Sequence, residues 1–263
     1  MTHVSAAIRD ALLTGEARAK VMAARTVARD WRLGRLASAG PFVAMPASPA
    51  WPARLVRQAP GAMPRRGRYG SERSQIALWH ALAHIEFVAI DLALDMAGRF
   101  GGARGEAFVS DWLIVTAEEA MHFALIERKL AAYGVAYGDL PVHDGLWQAA
   151  SETAHDVAAR LAIVPMVLEA RGLDVTPTTL ERVRAAGDEG GARILGRILD
   201  DEVRHVGCGT RHFRAIAKER GESPSKLWRK LVETHFSGRV KGPFNDSARQ
   251  AAGLSREFYG ELA

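Results

Sequence analysis

The chain holds a single cysteine, Cys208, among its 263 residues. One thiol excludes a disulfide within the chain and a thiolate-rich zinc site, and it suits a reducing compartment. Long uninterrupted apolar runs are absent, as needed to cross a bilayer. The first twenty residues, MTHVSAAIRDALLTGEARAK, carry charges throughout and have no apolar signal core. These absences lead to the expectation of a soluble, cytoplasmic protein with no membrane partner. Apolar–polar alternation of period two is missing, so no strand is expected. Charge of one sign is not concentrated either: the net charge is +5 and the pI near 9.6. That excess permits a nucleic-acid partner without arguing for one.

What is abundant points to helices. Ala, Leu, Arg and Glu dominate and aromatics are few. Residues 5–31 read as one amphipathic helix. From Gly40 to Gly70 prolines and glycines recur among apolar residues such as Phe42, Trp51 and Leu55, which excludes a long helix and suggests an extended arm lying on the main domain. Ser71 reads as an N-cap for a helix over 72–97, ended by GRFGGARG. Further helices are expected over 106–133, over 146–171 with a kink at Pro165, over a short stretch opened by Thr176-Pro177, and over 188–220. Ser223-Pro224 opens another short helix before an irregular tail. The fold class is all-α. The expected domains are 1–70 (helix and arm), 71–220 (the main bundle) and 221–263 (short helix and tail).

The chemistry lies in a repeated pattern. AEEAMHF contains Glu119-x-x-His122, and DDEVRHV contains Glu202-x-x-His205. Residues at i and i+3 share a helix face. One such match is weak; two, on two long helices, each with an acid just before the glutamate, are much stronger. The two other long helices each offer one glutamate on an apolar stripe. Glu86 is flanked by Leu82, Ala83, Ala89, Ile90 and Ala93, and Glu169 by Ala158, Leu161, Ala162, Pro165 and Met166. A lone carboxylate on a core-facing stripe is costly unless it is paired or binds metal. Glu86 to Glu119 and Glu169 to Glu202 are both 33 residues apart. The first interval suits a helical hairpin that levels its two glutamates. The second is less regular, because the third helix is expected to stop soon after Glu169. Four carboxylates and two imidazoles suit two divalent cations, iron or manganese, in preference to zinc or copper. Buried ion pairs within a bundle are the competing reading.

These residues resemble the ferritin-like di-iron carboxylate superfamily. The motifs AHIEFVAIDLALD, DWLIVTAEEAMHF, HDGLWQAASETAHD, LEARGLDVTP, DDEVRHV and GPFNDSARQAAG resemble an uncharacterised bacterial ferritin-like family within it. The resemblance implies a four-helix bundle with a long crossover and metal ligands Glu86, Glu119, His122, Glu169, Glu202 and His205. It also implies supporting roles for Glu118 and Asp201, each orienting a ligand histidine. The implied cofactor is two iron ions, with manganese or a mixed pair as variants. The implied function is an O2-activating hydroxylase or oxidase acting on an unidentified substrate. Iron handling of the ferroxidase type and a non-catalytic, metal-stabilised scaffold are the alternatives. A hydroxylase acting on modified tRNA is a minor variant, since a known tRNA hydroxylase uses this bundle. A dimer is compatible with the sequence, which does not set the oligomeric state. Among other candidates, His84, His80 and His155 read as structural histidines, and Trp112 and Cys208 as core; the role of His212 stays open.

Overall fold

The computed structural model describes residues 1–63 and 69–261. Every regular element among them is helical. The chain divides into two compact units, Met1–Trp147 and Gln148–Ala263.

The first unit contains α1 (Val4–Leu12), α2 (Ala17–Arg32), α3 (Glu72–Arg104) and α4 (Glu106–Ala131), followed by α5 (Gly145–Glu152), which crosses the boundary. The single helix expected over 5–31 is two. The break falls at Leu13–Glu16, where Glu16 leaves the helical conformation and its carboxylate accepts the amides of Arg18 and Ala19, capping α2. Ser71 caps α3 as expected, in a reciprocal box with Ser74. The helix expected to stop at GRFGGARG instead runs through it to Arg104. The glycines there are required by packing. A Cβ on Gly98 would collide with Met45 and Ile8, and one on Gly101 with Val109 and Phe42. The arm over 40–63 thus sits directly on the α3 backbone. It is pinned there by Trp51 Nε1 donating to Asp91 Oδ2 (2.9 Å) and by Arg99 Nη2 donating to the Pro46 carbonyl (3.0 Å). The remainder of the expected arm, 64–68, lies outside the described residues.

By length and composition α3 is apolar enough to cross a membrane, contrary to the reading of the sequence, but two-thirds of its most apolar stretch is buried inside the fold. It is the central core helix of this unit. Asp91 and Asp95, both fully buried, are matched within the unit by Lys20 and Arg99.

The second unit holds α6 (Val157–Ile163), a π-helical turn (Val164–Glu169), α7 (Ala170–Ala185), α8 (Glu189–Glu219), α9 (Pro224–His235), α10 (Asp246–Ala251) and α11 (Arg256–Tyr259). The helix expected over 146–171 is interrupted before Val157, where Asp156 caps α6 by accepting the Ala158 amide. At Pro165 the expected kink takes the form of the π turn, since a proline offers no N–H to the preceding turn. The pyrrolidine ring seats against Gly209 of α8, which has no room for a Cβ. Beyond it the helix does not end near Arg171. It continues through Thr176-Pro177 to Ala185. Pro177 cannot donate to the Leu173 carbonyl, and Asn245 Nδ2 does so instead at 3.1 Å. The tail expected to be irregular is therefore partly ordered, and Arg249 fastens it to Asp174 through a buried pair of 2.8 and 2.7 Å contacts.

Candidate metal centre

Gly105 alone joins α3 to α4, with φ at +85°, a conformation glycine adopts without strain. So short a connection makes the two helices antiparallel. Gly101 faces Val109 near the turn. From that pair, 15 residues back along α3 lead to Glu86 and 13 forward along α4 lead to His122. At about 1.5 Å per residue the two arms match to within one turn, and the side chains meet. His122 Nδ1 lies 3.2 Å from Glu86 Oε2 and 3.3 Å from Glu119 Oε2. The donor atoms of these three residues fall within 4.8 Å of one another. Glu119 and His122 are inaccessible to solvent, and Glu86 is 4% exposed.

Burial by itself would pull the His122 pKa down. The hydrogen bonds and charges of Glu119 and Glu86 outweigh it and hold the imidazole up to about 11. A positive charge is thus favoured between these two buried carboxylates. Two carboxylate oxygens and one imidazole nitrogen form a donor set that fits a hard or borderline divalent cation.

The second unit carries the same residue spacing on a second hairpin. α7 and α8 turn back on one another through Gly187, at φ +79°. Leu180 touches Gly196, and Pro165 touches Gly209. The register between those two contacts sets Glu169 level with His205, as Glu86 is level with His122. Both intervals are 36 residues. Glu202 Oε1 stands 3.7 Å from His205 Nδ1 across one turn. His205 is buried and the Glu202 side chain is 12% exposed, while Glu169 is half-buried in the last residue of the π turn. The second 33-residue interval is thus a hairpin register like the first, because α7 continues where the sequence suggested an end.

Asp201 is buried and clamped by two arginines of its own helix, Arg197 Nε at 2.6 Å and Arg204 Nη2. Glu118 is half-buried and lines a groove between α2 and α4. Trp112 and Cys208 are buried in the core as expected, and His212 is half-buried. His84 is structural: Tyr137 Oη lies 2.8 Å from its Nδ1, and its Nε2 donates to the His143 carbonyl at 2.7 Å. His80 is structural too, its Nε2 accepting the Gly138 amide at 2.9 Å. His155, expected in the core or as a cap, is exposed and packs against the His235 ring. Tyr137 is a residue that sequence reasoning missed. It lies in the loop after α4, where no periodic pattern marks a residue as core, yet its ring packs on Phe87 and Phe123 beside the candidate ligands.

Residues 13–260 match the family described as "Protein of unknown function (DUF455)". A protein of Haemophilus influenzae, described as "Uncharacterized protein", is 42% identical over 213 residues, which cover 79% of this chain and 74% of that one. No solved structure matches.

Proposed function

The chain belongs to the family described as "Protein of unknown function (DUF455)", and on that premise we propose that it is a dinuclear metal protein of the ferritin-like di-iron carboxylate kind, acting as an O2-activating oxidoreductase. Glu86, Glu119 and His122 from the first hairpin and Glu169, Glu202 and His205 from the second supply the ligands for two ions, iron in the first instance. The observation that carries the reading is the ligand spacing repeated on two hairpins. Each hairpin levels one glutamate with the histidine of a Glu-x-x-His pair, at the same 36-residue interval. In the first half-site all three side chains converge in the dry interior. Ion pairs that merely stabilise a bundle have no reason to recur with one spacing and one composition.

The six residues would hold the two ions, which as Fe(II) would supply two electrons, enough to take O2 to the peroxide level, and carboxylate-rich ligation would favour that oxidation. The chain's own part is to hold the donors in place without water. Phe87 and Phe123, each next in the chain to a candidate ligand, pack ring to ring in the buried core, and the Glu86–His122–Glu119 contacts orient the donor atoms before any ion arrives.

The test is anaerobic titration with Fe(II), followed by exposure to O2, watched by absorbance and Mössbauer spectroscopy. Two irons per chain that oxidise together as a coupled pair are expected. A stoichiometry below two irons per chain defeats the proposal.

A further inference from the structure

A second feature lies apart from these ligands, within the first unit. α2 packs antiparallel on α4, tied by Arg18 to Glu127 (3.2 Å) at one end and by Trp31 Nε1 donating to Ser110 Oγ (2.8 Å) at the other. Between them runs a groove of about 900 Å³, a volume in the range of small-molecule sites. Its two walls differ in character. Arg25, Arg29 and Arg32 form one stripe of α2, at i, i+4 and i+7. The middle of the α4 wall is apolar, built from Leu113 and Ile114, with Met22 adding to it from α2. Met22 and Ile114 are 61% and 58% exposed, an unusual degree for large apolar side chains. Arg29 is tied to Asp30 at 3.0 Å, whereas Arg25 and Arg32 form no ion pair among the described residues. Glu106 and Glu118 also line the groove. The α2–α4 register sets Glu118 across from Arg25 and Glu106 beyond Arg32, and neither glutamate forms an ion pair with Arg25 or Arg32, whose guanidinium groups are exposed.

We propose that this groove is a binding site for a small organic anion with an apolar body, its carboxylate or phosphate-like head held by Arg25 and Arg32 and its body lying on Met22, Leu113 and Ile114. Guanidinium groups suit such a head because their paired N–H donors match a planar oxyanion. Two cations that form no ion pair among the described residues, beside exposed apolar surface, are complementary to that class of ligand and to neither a neutral lipid nor a simple inorganic ion. The site does not depend on metal binding.

The probe is anilinonaphthalene sulfonate, an aromatic body bearing one anionic group, titrated into the full chain and followed by its fluorescence. Saturable binding of one dye per chain is expected, displaced by decanoate at concentrations about tenfold or more below those needed for decanol, which has the same chain without the charge. Replacing Arg25→Gln and Arg32→Gln together is expected to weaken dye binding about tenfold or more while leaving the far-ultraviolet circular dichroism unchanged, since both side chains are exposed. Ile114→Glu is expected to weaken it as well, through the apolar wall alone. Equal displacement by decanol and decanoate, or undiminished binding by the arginine double variant, overturns the proposal. Neither result touches the iron stoichiometry, so failure here is distinct from failure of the dimetal reading.

Discussion

Asn245 caps a carbonyl that Pro177 leaves open. The proline sits inside α7 and has no N–H to give to Leu173, four residues earlier, and the Asn245 side-chain amide takes that place at 3.1 Å. Leu173 is fully buried, so the carbonyl would otherwise face the interior with a lost partner. An unmet buried polar group costs about 1–3 kcal/mol. Asn245→Asp keeps the oxygen that caps α10 through the Ala248 amide but removes the donor. It is expected to lower the unfolding free energy by about 1–3 kcal/mol in urea. In a Pro177→Ala background, where a backbone N–H returns, the loss is expected to shrink by about 1 kcal/mol. Additive losses in the double-mutant cycle would show that the amide does not serve this carbonyl.

Lys20 and Asp91 form a fully buried ion pair. Burial raises the Asp91 carboxyl to about 6 even though Lys20 and Trp51 lower it. Between the ordinary value of 3.8 and that level the folded state holds a proton the unfolded chain has released, so this group's contribution to stability falls as pH rises through that window. Removing the ammonium with Lys20→Met leaves Asp91 its desolvation penalty with only the Trp51 hydrogen bond against it. The variant is expected to lose about 3–5 kcal/mol at pH 8 and distinctly less at pH 5, where Asp91 is protonated. Lys20→Met with Asp91→Leu is expected to recover most of the loss at both pH values. Urea titrations at the two pH values decide it; an equal loss at pH 5 and pH 8 contradicts the assignment.

His80 works in the opposite direction. Burial lowers it to about 4, with Asp139 pulling it back and Arg54 adding to the shift. Its Nε2 serves as an acceptor for the Gly138 amide, which requires the neutral ring. The folded pKa is depressed below the unfolded value of 6.5, so the unfolded chain takes up a proton that the folded chain refuses. Stability is then lost as pH falls from 6.5 towards 4, by up to about 3 kcal/mol. His80→Gln is expected to flatten that acid limb between pH 7 and 5, measured by thermal or urea unfolding. An unchanged slope would assign the acid sensitivity elsewhere.

How much of this could be read from the residues depends on the reach of each interaction. Capping boxes, the Gly105 turn and the Glu-x-x-His pairs are local, and Ser71, α4 and α8 appear where propensity and spacing set them. GRFGG looked like a stop because glycine is a poor helix former, but Met45 and Phe42, more than fifty residues earlier in the chain, need the bare backbone. Thr176-Pro177 looked like a start because the residue that replaces the missing N–H is Asn245, in the tail. The same continuity of α7 explains why the equal spacing of Glu86–Glu119 and Glu169–Glu202 is a matter of register. Buried partners such as Lys20 for Asp91 and Arg249 for Asp174 have no sequence signature, because each pair joins positions 71 and 75 residues apart.

The duplicated half-site makes a symmetric claim, and the single variants Glu86→Ala and Glu169→Ala test it from both sides. If each hairpin supplies ligands to the metal pair, either substitution removes one donor carboxylate from an equivalent position. Each is then expected to reduce the bound iron from two to one or fewer per chain after anaerobic loading and desalting, measured by plasma mass spectrometry. The two variants should also fail in the same way on exposure to O2, losing the coupled-pair signal even where one ion persists. In the metal-free protein Glu86 is bonded to His122 in the dry interior, so its removal is expected to take away part of what holds the imidazole's proton. Full iron content in Glu169→Ala would reduce the second hairpin to a structural ion-pair cluster and leave the first as a mononuclear site.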